Sequence, residues 1–358
     1  MNSNINGRSA NDSLGRRARA VCIVLALSLG IVAAGCRSVK PLALWNDSAP
    51  AKAALEKYVE AARDPRSPGY IPQERRIAVF DLDGTLFCER APTYFDWQLF
   101  ESRVLDDKTF KPTEAQKAAA EGSRFEGRHP ELTKEREDMV AAAYAGMSPE
   151  EFCEYVRSFM DTPQPGFVGM KRGEAFFKPM LQVVEYLVEN GFSVYVCTGS
   201  DRILTRALVN GTLPIAPDRV IGSDVAIGAA DQDGADALKY VWQTESKPAF
   251  QGMSLVKNLQ LNKVSAIIRE IGSRPVLAFG NSMSDASMAN YTISDNEYPA
   301  LAFMLLCDDT VREYGKIDAA AKMREYCAKY GWVPVSMRDD WKTVYGEGVS
   351  KDSRSARP

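Results

Sequence analysis

Five short, nearly unbroken apolar runs, at residues 76–80, 193–197, 275–279, 300–307 and 332–336, constrain this chain most. A strand covered on both faces reads as a continuous hydrophobic run rather than an alternating one. Segments with helical spacing lie between the runs, at 179–189, 203–209, 263–271 and 317–330, and another precedes the first run at 50–62. Strands alternating with helices predict an α/β fold, a three-layer sandwich around a mostly parallel sheet. Ligands of such sheets bind beyond the carboxyl ends of the strands. The residues that follow each run are therefore the candidates for chemistry.

The rhythm breaks at 89–175, about 85 residues rich in charge and helix formers (113–121, 134–144, 149–160), with no good strand. That length far exceeds an ordinary connection and predicts an inserted α-helical cap. The expected organisation is a signal peptide at 1–35, a lipid-anchored linker and helix at 36–75, and a catalytic core at 76–88 plus 176–345. The cap occupies 89–175, and a polar, Ser-rich tail at 346–358 is expected to be disordered.

The beginning of the chain carries Arg8, Arg16, Arg17 and Arg19, after which residues 20–34 run without a charge. Such a stretch falls short of the roughly 20 apolar residues that a membrane span needs. With the small pair Ala34-Gly35 it reads as a secretory signal. Ala33-Ala34-Gly35-Cys36 resembles a bacterial lipobox, which implies cleavage before Cys36 and lipid on its thiol. An uncleaved anchor and a non-lipidated signal are the alternatives. The expected location is exported and membrane-anchored, facing the periplasm or the cell exterior, and Arg37 after the cysteine slightly favours the outer membrane. Apart from Cys22 and Cys36, the cysteines at 88, 153, 197, 307 and 327 show no CxxC spacing. They form neither a disulfide framework nor a zinc site, and a single bridge is left open.

Lys and Arg (44) nearly balance Asp and Glu (47), for a net charge of −3. This dispersed balance lacks the electrostatic footprint of a nucleic-acid binder. The one histidine, His129, excludes a His-based metal cluster and the usual Ser–His triad. Chemistry must rest on carboxylates, hydroxyls and lysine.

Asp81-Leu82-Asp83-Gly84-Thr85 follows the first run, Thr198-Gly199-Ser200-Asp201 the second, and Gly280-Asn281-Ser282-Met283-Ser284-Asp285 the third; Lys263 opens the helix before that third run. These groups suit phosphoryl transfer. Asp81 can attack phosphorus to form an aspartyl-phosphate, while Asp83 can protonate the leaving oxygen and later activate water. Thr198, beside Gly199, offers a hydroxyl and Lys263 a positive charge to the phosphoryl oxygens. Lys257 is the alternative lysine. Clustered carboxylates repel one another without a cation, so Asp81, Asp83, Asn281 and Asp285 read as an oxygen-rich site for Mg²⁺.

In order along the chain, Asp81-x-Asp83-Gly84-Thr85, Thr198, Lys263 and Gly280-Asn281-x-x-x-Asp285 resemble the four motifs of the haloacid dehalogenase (HAD) superfamily. The phosphatase branch is the nearer likeness, because dehalogenases lack the second aspartate, here Asp83. Leu44-Trp45-Asn46-Asp47, Lys178-Pro179-Met180 and Asp340-Trp341-Lys342 are similar to the phosphoserine-phosphatase-like group, so the resemblance spans about 42–345. It implies a Rossmann-like core, a helical cap inserted just after the first motif, Mg²⁺ as cofactor, and hydrolysis of a small phosphomonoester, a phosphoserine-like one being a candidate. Two departures stand out: Asn281 replaces the aspartate that usually opens the fourth motif, and Glu89 falls one residue earlier than the substrate glutamate of phosphoserine phosphatases. Glu89 and Arg206 are candidate substrate contacts, Arg206 having a solvated helix position as its alternative. The partners expected are a small phosphorylated metabolite and, through the lipid anchor, a membrane, with no nucleic acid and the oligomeric state open. A phosphotransferase using the same site and a catalytically idle ligand-binding lipoprotein are the rival functions.

Overall fold

The computed structural model describes residues 41–352, so the signal segment, Cys36 and residues 353–358 lie outside the described residues. Seven strands form one sheet of order β5-β4-β3-β1-β6-β7-β8. Along the chain they are β1 (Ile77–Phe80), β3 (Ser193–Asp201), β4 (Val220–Ala229), β5 (Pro248–Val256), β6 (Leu277–Gly280), β7 (Leu301–Leu306) and β8 (Val333–Ser336). Every neighbouring pair is parallel except β4 with β5, which is antiparallel at the edge. This is the mostly parallel α/β sandwich that the apolar runs predict.

Alternate side chains of a strand face opposite sides of the sheet, and the core divides accordingly. Ala78 and Phe80 pack with Leu55 of α1 (Pro50–Arg63), Val184 of α6 (Lys178–Glu189) and Leu208 of α7 (Arg202–Val209). Val79, Ala278 and Ala302 pack with Ile267 of α8 (Leu261–Glu270), Met288 of α9 (Ala286–Ile293) and Met323 of α10 (Ile317–Tyr330). Phe80, Phe279 and Phe303 stack side by side across β1, β6 and β7, with ring centroids 4.1 and 4.9 Å apart. Pro50 begins α1 at a position where its missing N–H is no loss.

Between β1 and α6 run four helices: α2 (Phe95–Leu105), α3 (Glu114–Glu126), α4 (Lys134–Ala142) and α5 (Pro149–Met160). Reciprocal side-chain capping by Thr113 and Gln116 starts α3, and by Ser148 and Glu151 starts α5. The two chain crossings into this helical stretch lie side by side, since Cys88 N donates to Ala175 O and Phe177 N to Leu86 O, each at 2.9 Å.

Three features depart from the sequence expectations. The hairpin β4–β5 has no counterpart among the apolar runs, because Gly222, Ser223 and Asp224 interrupt β4, and β5 from Gln251 on alternates exposed with half-buried positions as an edge strand does. α2 shows no amphipathic period because most of it is buried, including the polar Gln98 and Glu101. The tail expected to be disordered over 346–358 is instead ordered as far as the structure describes it. Ser350–Lys351 form β9, paired antiparallel with β2 (Phe167–Val168) inside the stretch expected to lack strands. Lys351 Nζ donates to Thr310 O and Glu313 O at 2.8 and 3.0 Å, contacts that offset the polar, Ser-rich composition. No helix among the described residues is long and apolar enough to cross a membrane. All five described cysteines are unbridged.

Candidate active site

Asp81 stands at the carboxyl end of the central strand, where its backbone N–H donates to Phe279 O at 2.9 Å and continues the β1–β6 ladder by one residue. The chain then turns sharply through Gly84, whose φ of +78° suits glycine. A Cβ at Gly84 would stand 1.9 Å from Asn281 Nδ2 and 2.7 Å from Glu89 Oε2, so the turn leaves room for no side chain. Asn281 Nδ2 donates to Glu89 Oε2 at 3.0 Å, and Tyr94 OH donates to Glu89 Oε1 at 2.8 Å. Glu89 is thereby tied to the first and fourth motifs.

Lys263, fully buried on α8, joins two of the acids: its Nζ lies 2.5 Å from Asp81 Oδ1 and 2.6 Å from Asp285 Oδ1. The other oxygen of Asp285 accepts the backbone N–H groups of Asn281 and Ser282, both at 3.1 Å. Ser200 Oγ donates to Asp83 Oδ2 at 2.7 Å. Thr198 Oγ1, completely buried, accepts Ser200 N at 3.1 Å. Above these groups opens a cavity of about 310 Å³. Asp81, Asp83, Glu89, Gly199, Ser200 and Asn281 form its core-side wall, and Tyr94, Asp96, Leu132 and Arg136 close it from the helical stretch.

The sheet thus brings Asp81, Asp83, Glu89, Gly199, Lys263, Asn281 and Asp285 to one place. Thr198, Lys263 and Asp285 lie beneath the floor rather than in the lining. Arg206 is a correction: it does not reach the cavity, and its Nε donates to Pro217 O at 2.8 Å. α7 buries Leu204, Thr205, Ala207 and Leu208, which turns position 206 away from the site. Lys257 lines the cavity, but its Nζ is paired with Glu137 Oε2 of α4 at 3.0 Å, so the buried lysine of the site is Lys263. The sequence reading missed Ser200, Asp96 and Arg136. Of these only Ser200 left a trace, two residues after Thr198 and hence on the same face of β3. Asp201 caps α7 through Leu204 N at 2.8 Å.

Burial, and then the carboxylates of Asp96, Asp81 and Glu89, push Asp83 well above the ordinary range, against the hydrogen bond from Ser200. Burial and Asp285 raise Asp81 despite Lys263. Burial alone would lower Lys263, but Asp285 and Asp81 together hold it protonated. Burial raises the thiols of Cys88 and Cys197, which keeps them protonated and inert. The excess of carboxylate over ammonium favours a cation at the cavity floor.

Among the described residues no three His, Cys, Asp or Glu side chains form a ready-made metal cage. Of the four metal donors expected from the sequence, Asp81, Asp83 and Asn281 line the cavity, whereas Asp285 lies beneath it with both oxygens engaged. Such a sparse, all-oxygen set fits Mg²⁺, which retains several waters and takes few protein ligands.

The model of the haloacid dehalogenase-like hydrolases matches residues 78–290. The chain belongs to that family. Its match covers the first aspartate, the helical insertion, Lys263 and Asp285. A search of curated proteins gives no match. Among solved structures, this HAD-like hydrolase is similar to a conserved protein of unknown function from Anaerococcus prevotii (13% identity, 84% of this chain and 96% of that one, TM-score 0.47). It is also similar to cytosolic 5′-nucleotidase IIIB bound to cytidine (12% identity, 82% and 87%, TM-score 0.46) and to a substrate-bound phosphoserine phosphatase (12% identity, 72% and 98%, TM-score 0.36). These TM-scores are too low to bear on activity.

Proposed function

We propose that this HAD-like hydrolase is a Mg²⁺-dependent phosphatase that cleaves a small phosphomonoester through an aspartyl-phosphate on Asp81. The observation that carries the reading is the buried triad Asp81–Lys263–Asp285, assembled from three distant segments beneath a cavity that also holds Asp83. Lys263 holds Oδ1 of Asp81, which leaves Oδ2 to attack phosphorus as the bond to the leaving oxygen breaks. Asp83, kept protonated by burial and its acidic neighbours, donates its proton to that oxygen. The same carboxylate then takes a proton from the water that opens the aspartyl-phosphate, releasing phosphate and restoring both groups. Ser200 orients Asp83 throughout. Asp81 and Asn281, joined by Asp83 once it has given up its proton, would hold Mg²⁺, which would supply positive charge against the phosphoryl oxygens.

The helices of 89–175 act as the cap. Asp138 Oδ1 accepts Ser254 N and Oγ at 2.8 and 3.0 Å, Gly146 N donates to Phe250 O and Phe250 N to Met147 O, each at 2.9 Å, so the cap rests on β5. A cavity enclosed in this way favours a small metabolite over a phosphoprotein, with phosphoserine-like compounds as candidates. Export and lipidation at Cys36 complete the reading, on the strength of the sequence of 1–36. A panel of phosphorylated metabolites assayed with Mg²⁺ and with EDTA tests it. Hydrolysis should require the metal and vanish in Asp81→Asn; turnover unchanged by that substitution would refute the reading.

A further inference from the structure

We propose that Arg136 selects phosphomonoesters whose alcohol carries a second anionic group, a carboxylate or a further phosphate. The inference rests on the phosphatase reading and concerns the cap side of the same cavity. Arg136 occupies the first turn of α4 and lines the cavity wall. Its guanidinium lies over the Trp97 ring, 4.5 Å from the centroid, which fixes the plane of the group while leaving its N–H edges unused.

Those edges have no adequate acceptor. Arg136 Nε is buried without a hydrogen-bond partner. Among the described residues the carboxylate oxygen that approaches the guanidinium within 4 Å is Glu137 Oε1, at 3.8 Å from Nη1, beyond hydrogen-bond reach. The other oxygen of Glu137 is paired with Lys257 at 3.0 Å. Arg136 also sits at a helix N-terminus, where the macrodipole disfavours a cation. A half-buried guanidinium with an unpaired donor is destabilising in itself, and an anion arriving on the substrate would relieve it. The phosphoryl group is to meet Asp81 and Asp83, which lie on the opposite, core-side wall with Gly199 and Ser200. The group that meets Arg136 is therefore on the leaving alcohol, and a planar fork suits a carboxylate or phosphate bidentately.

The test is steady-state kinetics with Mg²⁺ on phosphoglycerate, propanediol bisphosphate and the neutral glycerol phosphate, with an aryl phosphate as a reference. Wild type should prefer one or both anionic compounds to glycerol phosphate, and which of the two it prefers distinguishes carboxylate from phosphate. Arg136→Gln should lower kcat/KM for the preferred compound by roughly ten- to a hundredfold, mainly through KM, the scale of one charge-assisted contact. Glycerol phosphate should be nearly unaffected, and Arg136→Lys should recover part of the loss. An equal loss on every substrate, in Arg136→Lys as in Arg136→Gln, would mean that the residue only supports the cap, and the proposal fails. It also fails if wild type hydrolyses the aryl phosphate yet shows no preference for an anionic alcohol. Absence of turnover on all four compounds overturns the phosphatase reading, and the proposal falls with it.

Discussion

Replacing Lys263 with Met removes one positive charge from a fully buried site while nearly preserving its volume. Two carboxylates, at 2.5 and 2.6 Å from the lost Nζ, then remain buried without their counter-ion. Breaking a buried pair from one side destabilises by about 3–5 kcal/mol. For a chain of this size that corresponds to a melting temperature lower by roughly 6–15 °C. The loss should depend on pH in a defined direction. The folded-state pKa of Asp81 is already raised by burial and Asp285, and removing Lys263 raises it further. A carboxyl whose folded value lies above its unfolded value contributes stability while protonated, at low pH, and loses it as pH rises through the folded value. The deficit of Lys263→Met should therefore be small near about pH 4 and reach its full size above neutrality. Adding Asp285→Asn removes one of the stranded charges and should restore part of the loss. Metal-free protein, urea unfolding and a pH series suffice to measure it. A deficit below about 1 kcal/mol at alkaline pH, or one independent of pH, would refute the account of the triad.

Gly84→Ala introduces a Cβ 1.9 Å from Asn281 Nδ2 at a positive φ, so activity should fall at least about a hundredfold, with Asn281 and Glu89 displaced; an active, unperturbed variant would show that the turn tolerates movement. Ser200→Ala removes the hydrogen bond that favours ionised Asp83, so its pKa rises further. The water-activating step then needs higher pH, and the acid limb of the kcat profile should move upward; a profile unchanged in position would dissociate Ser200 from Asp83.

The central site was legible because its acids directly follow apolar runs, and parallel strands end on a common edge. Lys263 was legible for a related reason: it opens the helix that leads into β6, and burial then brings it between Asp81 and Asp285. Arg206 was misplaced because its candidacy came from the resemblance alone, whereas Leu204, Thr205, Ala207 and Leu208 claim the inward face of α7 and turn the arginine away. Ser200 was read only as a cap of the following helix, because its bond to Asp83 joins residues far apart in sequence, whereas β3 in fact continues to Asp201. Arg136 left no local signal: α4 buries only Ala141 among its residues, and the meaning of Arg136 comes from Trp97, far away in sequence. β4 and β5 escaped notice because an edge hairpin with Gly222, Ser223 and Asp224 in it carries neither a continuous nor a cleanly alternating pattern.

The most direct measurement traps the covalent intermediate: brief exposure to a turned-over phosphomonoester and Mg²⁺, borohydride reduction, and mass spectrometry of the digested protein. The account predicts that the peptide containing Asp81 is the one modified, and that Asp81→Asn abolishes the label. Phosphate release that continues with no labelled aspartate, or with the label on a different residue, would contradict it.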